Sequence, residues 1–173
     1  MSSGSFDFVL NGRRVTASGV SANTSLLSWL RATGRTGTKE GCAEGDCGAC
    51  SVALVETNAR GEKTYRAVNA CITLLPMVAG REVVTVEGVA FPDELHPVQR
   101  AMCERYGSQC GYCTPGFVVS MFEAYYRRDL EDGAGDVRAK IGDQLNGNLC
   151  RCTGYDKIVR AVLEAASAGA TKE

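Results

Sequence analysis

Nine cysteines stand in this 173-residue chain, at 42, 47, 50, 71, 103, 110, 113, 150 and 152, and they constrain its fold more than any other feature. The stretch from Met1 to Phe8 is polar and does not read as a secretory signal. Arg13 and Arg14 form a twin-arginine pair, but Val-Thr-Ala-Ser-Gly follows in place of an apolar export segment, so the expected compartment is the cytoplasm. In a reducing compartment such a set reads as metal ligation more readily than as a disulfide framework, and an odd count disfavours complete pairing.

The spacing sharpens this. Cys42, Cys47 and Cys50 form C-x4-C-x2-C, and Cys71 follows at a distance, the ligand spacing of a plant-type [2Fe-2S] cluster. Four thiolates around a compact anionic cluster require backbone that wraps closely and aims N–H groups at sulfur. Gly41, Gly45 and Gly48 permit that geometry. The alternative is a zinc site of four cysteines, which more typically uses two C-x2-4-C knuckles. A second set pairs Cys110 and Cys113, C-x2-C, with Cys150 and Cys152, C-x-C. By itself this set is less diagnostic, because C-x2-C also occurs in zinc sites and in redox pairs. The redox-pair reading wants a βαβ context, whereas these cysteines sit at predicted helix starts, where positive potential and free N–H groups favour an anionic cluster.

Two four-ligand sites leave Cys103 over, expected to behave as a small buried hydrophobe. His96 is the only histidine, which excludes a Rieske-type cluster and removes the usual general base; beside Pro97 it reads as a helix-entry residue. There is no G-x-G-x-x-G, P-loop or Ser/His/Asp set, so the chemistry expected of the chain is one-electron transfer. Nineteen Lys and Arg against twenty Asp and Glu give a net charge of -1 without a basic run, which excludes a nucleic-acid footprint. No stretch approaches the roughly 18 apolar residues of a membrane span, and a 45% hydrophobic content suits a packed globular chain.

The pattern along the chain divides it in two. Phe6, Phe8 and Leu10 alternate, Asn11-Gly12 supplies a turn, and Arg13 to Thr16 returns as the second strand of a hairpin. Thr24 is expected to cap a short helix carrying Leu26, Leu27, Trp29 and Leu30 into the core. Ser51 to Glu56, Thr64 to Val68 and Val83 to Val86 read as strands, with a polar turn from Asn58 to Lys63. These form a compact α+β unit over 1–88. A linker is placed over 89–96, around Pro92, Asp93 and Glu94. An all-α unit of four helices follows over 97–173. Its stripes are Val98, Ala101, Met102 with Arg105 and Tyr106; Phe117, Val118, Met121, Phe122, Ala124 and Tyr125 after a Thr114-Pro115 start; Val137, Ile141 and Leu145; and Ile158, Val159, Val162 and Leu163. The last eight residues read as a frayed tail.

Three stretches, Gly41 to Cys50 (GCAEGDCGAC), Gly107 to Gly116 (GSQCGYCTPG) and Asn146 to Tyr155 (NGNLCRCTGY), resemble the iron–sulfur portion of molybdenum hydroxylases, the xanthine dehydrogenase, aldehyde oxidoreductase and carbon monoxide dehydrogenase group. The resemblance runs from about Phe6 to Leu163. It implies an α+β chain: an N-terminal ferredoxin-like β-grasp domain with one [2Fe-2S] cluster on Cys42, Cys47, Cys50 and Cys71, then a four-helix domain with a second on Cys110, Cys113, Cys150 and Cys152. It further implies that Gln109 and Cys152 approach the molybdopterin of a large partner subunit, and that the first cluster faces FAD on another. The implied electron path runs from molybdenum through the helical-domain cluster and the ferredoxin-like cluster to FAD, in a dimer of heterotrimers. Glu44, Gly45 and Asp46, with Gly107, Ser108 and Gln109, look more like the xanthine dehydrogenase type, for which the implied substrate is a purine such as xanthine or another N-heterocycle. An aldehyde or carbon monoxide dehydrogenase subunit is the alternative. Many bacterial relatives of this type fuse a flavin domain after this segment, whereas the chain stops at Glu173; a separate small subunit is therefore expected. Two other readings compete: a free-standing ferredoxin-type carrier, which gives the helical domain no task, and a structural zinc protein.

Overall fold

The computed structural model describes residues 3–90, 93–127 and 136–169. Strands β1 (Ser3–Leu10) and β2 (Arg13–Ser21) form an antiparallel hairpin closed by Asn11 and Gly12, both at positive φ (50° and 76°), as a two-residue turn of this hand requires. Helix α1 (Leu26–Ala32) follows, capped by Ser25, whose Oγ accepts the Ser28 N–H at 3.1 Å. The cap is therefore one residue beyond the expected Thr24; the Ser25 hydroxyl is the one within reach of the third helical N–H. Strands β3 (Ser51–Thr57) and β4 (Lys63–Asn69), the short helix α2 (Leu75–Val78) and strand β5 (Glu82–Val84) complete the first half.

The sheet order is β2-β1-β5-β3-β4, with β1 and β5 parallel and the other neighbours antiparallel. β5 is shorter than the expected Val83 to Val86. Asn11 captures its end: the Asn11 side-chain oxygen accepts Thr85 N–H at 2.8 Å, its amide donates to Thr85 Oγ1 at 2.9 Å, and a 3-10 turn over Val86–Gly88 leads away. α2 leaves no signal in the sequence, because four residues carry too little periodicity to register.

The second half holds α3 (Pro97–Glu104), α4 (Thr114–Arg127), α5 (Val137–Leu145) and α6 (Asp156–Gly169). His96 is the entry residue of α3 as expected, with Nδ1 accepting Val98 N–H and Gln99 Oε1 accepting His96 N–H. α3 ends before Arg105 and Tyr106; Tyr106 has φ 52° and lies exposed, outside the predicted stripe. Cys103 is exposed rather than buried, because Val98, Ala101 and Met102 already fill the inward face of α3. In the segment expected to be a linker, Val89 is buried against the helices, and Phe91 and Pro92 lie outside the described residues. α6 runs to Gly169, through the start of the expected tail; residues 170–173 lie outside the description.

Over β3, β4 and β5 the sheet carries apolar packing on both faces. Side chains alternate along a strand, so Val52 and Leu54 of β3 join Phe8, Leu26, Leu27, Trp29, Leu30 and Val83 in one core beneath α1. Ala53 and, partly, Val55 turn the other way, with Val84, Tyr65 and Ala67, onto α4 and the helical core around Phe117, Met121, Ile141, Ile158 and Val162. Burying several such apolar side chains, each contributing roughly 1.5–3 kcal/mol, welds the helices to the sheet. Among the described residues, no helix is long and apolar enough to cross a membrane.

Candidate metal centres

The layering brings two cysteine sets to one edge of the molecule. Residues 38–50 form a loop between α1 and β3, and its turns depend on unusual backbone. Ala43, Gly45 and Gly48 have φ of 61°, 87° and 67°. A Cβ on Gly41 would lie 2.8 Å from Cys47 Sγ. Only a residue without a side chain tolerates that approach. The loop turns its N–H groups inward: Cys42 N–H points at Cys47 Sγ (3.3 Å), and Asp46 and Cys47 N–H point at Cys42 Sγ (3.4 and 3.3 Å). N–H groups of Glu44 foremost, then the Cys47 thiol and the Cys47 and Asp46 amides, hold Cys42 down at about 6. Cys50 differs. It is buried, and burial pushes its thiol up to about 12 although the Cys71 N–H opposes the rise; Cys71 and Cys47 are its thiol neighbours. Cys71 follows the end of β4, and Asn69 ties that end to the loop by donating to Gly45 O at 2.6 Å. Cys42, Cys47, Cys50 and Cys71 are thus brought together.

The second set is built from two helix entries. Cys110 and Cys113 precede α4, and Cys150 and Cys152 precede α6. Cys152 Sγ donates to Cys110 Sγ at 3.4 Å. Cys110 is lowered, first by the Tyr112 N–H and then by this contact, and Cys152 is raised by the same contact. Burial, then the neighbouring Cys150 and Cys110, pushes Cys113 up to about 12. Burial also raises Cys150, but the hydroxyl and N–H of Thr153 and the N–H of Cys152 outweigh it and leave the thiol lowered. Tyr155, at φ 67°, reaches back so that its hydroxyl accepts Cys150 N–H at 2.9 Å. All four cysteines of this set adjoin one another. Gln109 is exposed beside Cys110, and Cys152 is exposed as well. The last two bear on the resemblance's expectation of a neighbouring group outside this chain.

The two sets share an open cleft of about 380 Å³, which Cys42 and Cys47 line from one side and Cys110, Cys113, Cys150 and Cys152 from the other. The backbone joins them: Leu149 N–H donates to Cys47 O at 3.0 Å, directly before Cys150. Tyr112 donates its hydroxyl proton to Glu40 O. Gly48 O accepts from Asn148 Nδ2 (3.3 Å), whose Oδ1 accepts from Ser120 (2.6 Å). A Cβ on Gly48 would lie 2.2 Å from Gly147 O, and one on Gly116 would lie 2.1 Å from Gly48 O. This clamp of Gly48, Gly116, Ser120 and Asn148 is not part of the sequence reading, in which Gly48 serves only the wrap of the first loop; three of the four stand inside the quoted motifs, and a glycine and an asparagine inside a cysteine motif are the signal the clamp leaves.

Among the described residues, no three His, Cys, Asp or Glu side chains converge as the ligands of a single metal ion do. A [2Fe-2S] core instead distributes four thiolates over two irons. The donor set fits such a group: sulfur only, anionic when bound, with backbone N–H groups already aimed at it.

Residues 8–76 match the family described as "2Fe-2S iron-sulfur cluster binding domain", and residues 85–163 the one described as "[2Fe-2S] binding domain". The chain is thus a protein of two [2Fe-2S]-binding domains. Xanthine dehydrogenase of Emericella nidulans is 44% identical over 160 residues, 92% of this chain and 11% of that protein. Among solved structures, a chain of quinoline 2-oxidoreductase from Pseudomonas putida 86 superposes with a TM-score of 0.81 at 29% identity, covering 100% of this chain and 99% of that one. Aldehyde oxidoreductase from Desulfovibrio gigas gives a TM-score of 0.81 at 37% identity over 98% of this chain and 18% of that one. The chain belongs to the molybdenum hydroxylase family, as an iron–sulfur portion similar to that of xanthine dehydrogenases. It spans about 11% of the curated relatives' length.

Proposed function

We propose that this chain is the electron-transfer portion of a molybdenum-dependent hydroxylase, with Cys42, Cys47, Cys50 and Cys71 holding one [2Fe-2S] cluster and Cys110, Cys113, Cys150 and Cys152 the other. The observation that carries the reading is the pair of cysteine sets meeting at one cleft, which Cys42 and Cys47 of the first and all four cysteines of the second line, and joined by the Leu149 to Cys47 hydrogen bond. Each cluster, when bound, supplies a site that accepts and releases one electron. The chain's own residues do the rest. N–H groups of Cys42, Asp46, Cys47 and Thr153 offset negative charge on sulfur. The glycine and asparagine clamp fixes the two sets relative to each other.

In this reading Gln109 and Cys152, both exposed, face a molybdopterin on a large partner subunit, and the first loop faces FAD on another. Electrons run from the helical unit, 97–173, across the shared cleft to the ferredoxin-like unit, 1–88, the two units being connected in sequence by residues 89–96, in a dimer of heterotrimers. The likeness to xanthine dehydrogenase and to quinoline 2-oxidoreductase supports a purine or another N-heterocycle as the partner's substrate. Nine cysteines kept as thiolates or thiols suit a reducing cytoplasm.

A separate small subunit is supported by the quinoline 2-oxidoreductase chain, which this chain covers almost completely. A segment of one longer polypeptide is the second reading, favoured by relatives of which it spans only 11%. Electron paramagnetic resonance on the dithionite-reduced protein from its own host, with metal analysis and the masses of co-purifying chains, tests both. Two [2Fe-2S] signals, about four irons per chain, molybdenum and two larger partners are expected. Zinc in place of iron, or two clusters without molybdenum or partners, would refute the reading, and a single long chain would favour the fused form.

A further inference from the structure

Thr38 departs from the other buried polar residues. It is 1% exposed, and among the described residues its Oγ1 is the buried side-chain oxygen or nitrogen with no hydrogen-bond partner. Ser51, Thr73, Thr85, His96, Ser120 and Asn148 are buried as well, and each has a partner. An unpaired buried hydroxyl is destabilising, and a valine of the same shape would avoid the penalty, so an orphan of this kind points to an acceptor supplied from outside the polypeptide.

The backbone around Thr38 is fixed against the first cysteine loop. Arg31 Nη1 donates to Thr38 O at 3.2 Å, and Lys39 N–H donates to Ala49 O at 3.3 Å, so the segment lies beside the turn that carries Cys47 and Cys50. Further along it, Gly41 comes so close that an added Cβ would be 2.8 Å from Cys47 Sγ and 3.4 Å from the Ala49 Cβ. Ala49 and Cys50 are themselves buried, as Thr38 is. The group held by these thiols would bring sulfur acceptors into a neighbourhood that offers one uncommitted O–H donor.

We infer that Thr38 tunes the cluster held by Cys42, Cys47, Cys50 and Cys71, its hydroxyl donating a hydrogen bond to the cluster's sulfur. The inference rests on the ligand assignment proposed above. The reduced cluster carries one more negative charge than the oxidised one, so a hydrogen bond donated to sulfur stabilises the reduced form more and raises the potential. Thr38 makes no covalent bond and transfers no proton; its effect is on the equilibrium between the two oxidation states.

The test uses the complete protein as isolated, with Thr38→Val and Thr38→Ser beside it, in a redox titration that follows both cluster signals by electron paramagnetic resonance. Thr38→Val keeps its iron and shows about a tenfold smaller equilibrium constant for reduction of one cluster, a shift of about 59 mV downward for a one-electron couple. The other cluster does not move, and Thr38→Ser restores the value. Unchanged potentials in Thr38→Val, or equal shifts in Thr38→Val and Thr38→Ser, would overturn the inference, the second outcome assigning Thr38 to packing alone. If Thr38→Val accumulates poorly, deuterium hyperfine coupling decides: in D2O the wild-type cluster shows an exchangeable coupling that Thr38→Ala lacks, and equal spectra overturn the inference. The signal under study must also vanish in Cys47→Ser. If it does not, the ligand assignment fails and the inference with it, an outcome distinct from an intact, Cys47-dependent cluster that ignores Thr38.

Discussion

Replacing Gly116 by Ala tests whether the two halves are held at van der Waals contact. Gly116 lies in the first turn of α4, and an added Cβ would meet Gly48 O at 2.1 Å, where ordinary contact begins at 3.4 Å. The carbonyl has nowhere to go: Ser51 N–H, Ser51 Oγ and Asn148 Nδ2 all donate to it, at 3.1, 2.8 and 3.3 Å. The helix must therefore retreat by about 1.3 Å. Overpacking of this kind costs about 1–3 kcal/mol. The retreat also breaks the Asn148 to Gly48 and Leu149 to Cys47 hydrogen bonds, at about 1 kcal/mol each, while alanine in a helix gains back about 1 kcal/mol over glycine. The net loss is about 2–4 kcal/mol, a fall in Tm of about 5–15 °C for a chain of this size. Calorimetry with the clusters in place reads it. Gly142→Ala is the internal control: Gly142 lies in α5 with nothing within 4 Å of its added Cβ, so this change raises stability by about 0.4–1 kcal/mol. If Gly116→Ala proved as stable as wild type while Gly142→Ala behaved as described, the contact between the halves would not be tight, and the clamp would be wrong.

Cys47→Ser and Cys113→Ser should each retain about half the iron and erase different resonance signals; loss of the same signal by both would contradict two separate sites. Phe117→Ala empties a fully buried position against Tyr155 and should cost about 3–5 kcal/mol in urea titration. A change below 1 kcal/mol would mean that the helical core does not centre there. Ser25→Ala removes the cap of α1 and should cost about 1 kcal/mol, read by the same titration. In cluster-free, reduced protein, Cys42, held at about 6, contributes stability that is present above the ordinary thiol pKa and lost as pH falls toward 6. Cys50 and Cys113, raised to about 12, contribute stability present below the ordinary value and lost as pH rises toward 12. Denaturation midpoints should therefore peak near pH ~8.5, and a monotonic profile across that range would contradict the two opposed shifts.

What the sequence carried was local. Asn11-Gly12 announces a hairpin because few other dipeptides occupy two positive-φ positions, and the stripes of α4 and α6 announce helices because their apolar faces repeat at the helical period. The cysteine spacing named the chemistry for the same reason: ligands close in sequence must be close in space. The long-range facts were hidden. Nothing in the alternation of β3 says that Ala53 faces a helix contributed by residues more than sixty positions later, and the pairing of Asn11 with Thr85 shortens β5 through a contact that no window spans. Cys103 is exposed against the expectation because residue type gives only a habit, while exposure depends on which residues already fill the inward face of α3.

The two-sided burial of β3 has a consequence for the order in which the chain is made. Residues 1–88 leave the ribosome before α4 does, and a chain folding from its N-terminus can complete the core beneath α1 while Ala53, Tyr65, Ala67 and Val84 still face water. Until α4 arrives, the nascent sheet presents an apolar wall to whatever is nearby, including another nascent copy. The cysteines that line the shared cleft from the helical side also emerge after those of the first loop. Co-translational maturation is thus sequential: the first loop exists before its neighbour, and the sheet stays sticky through that interval.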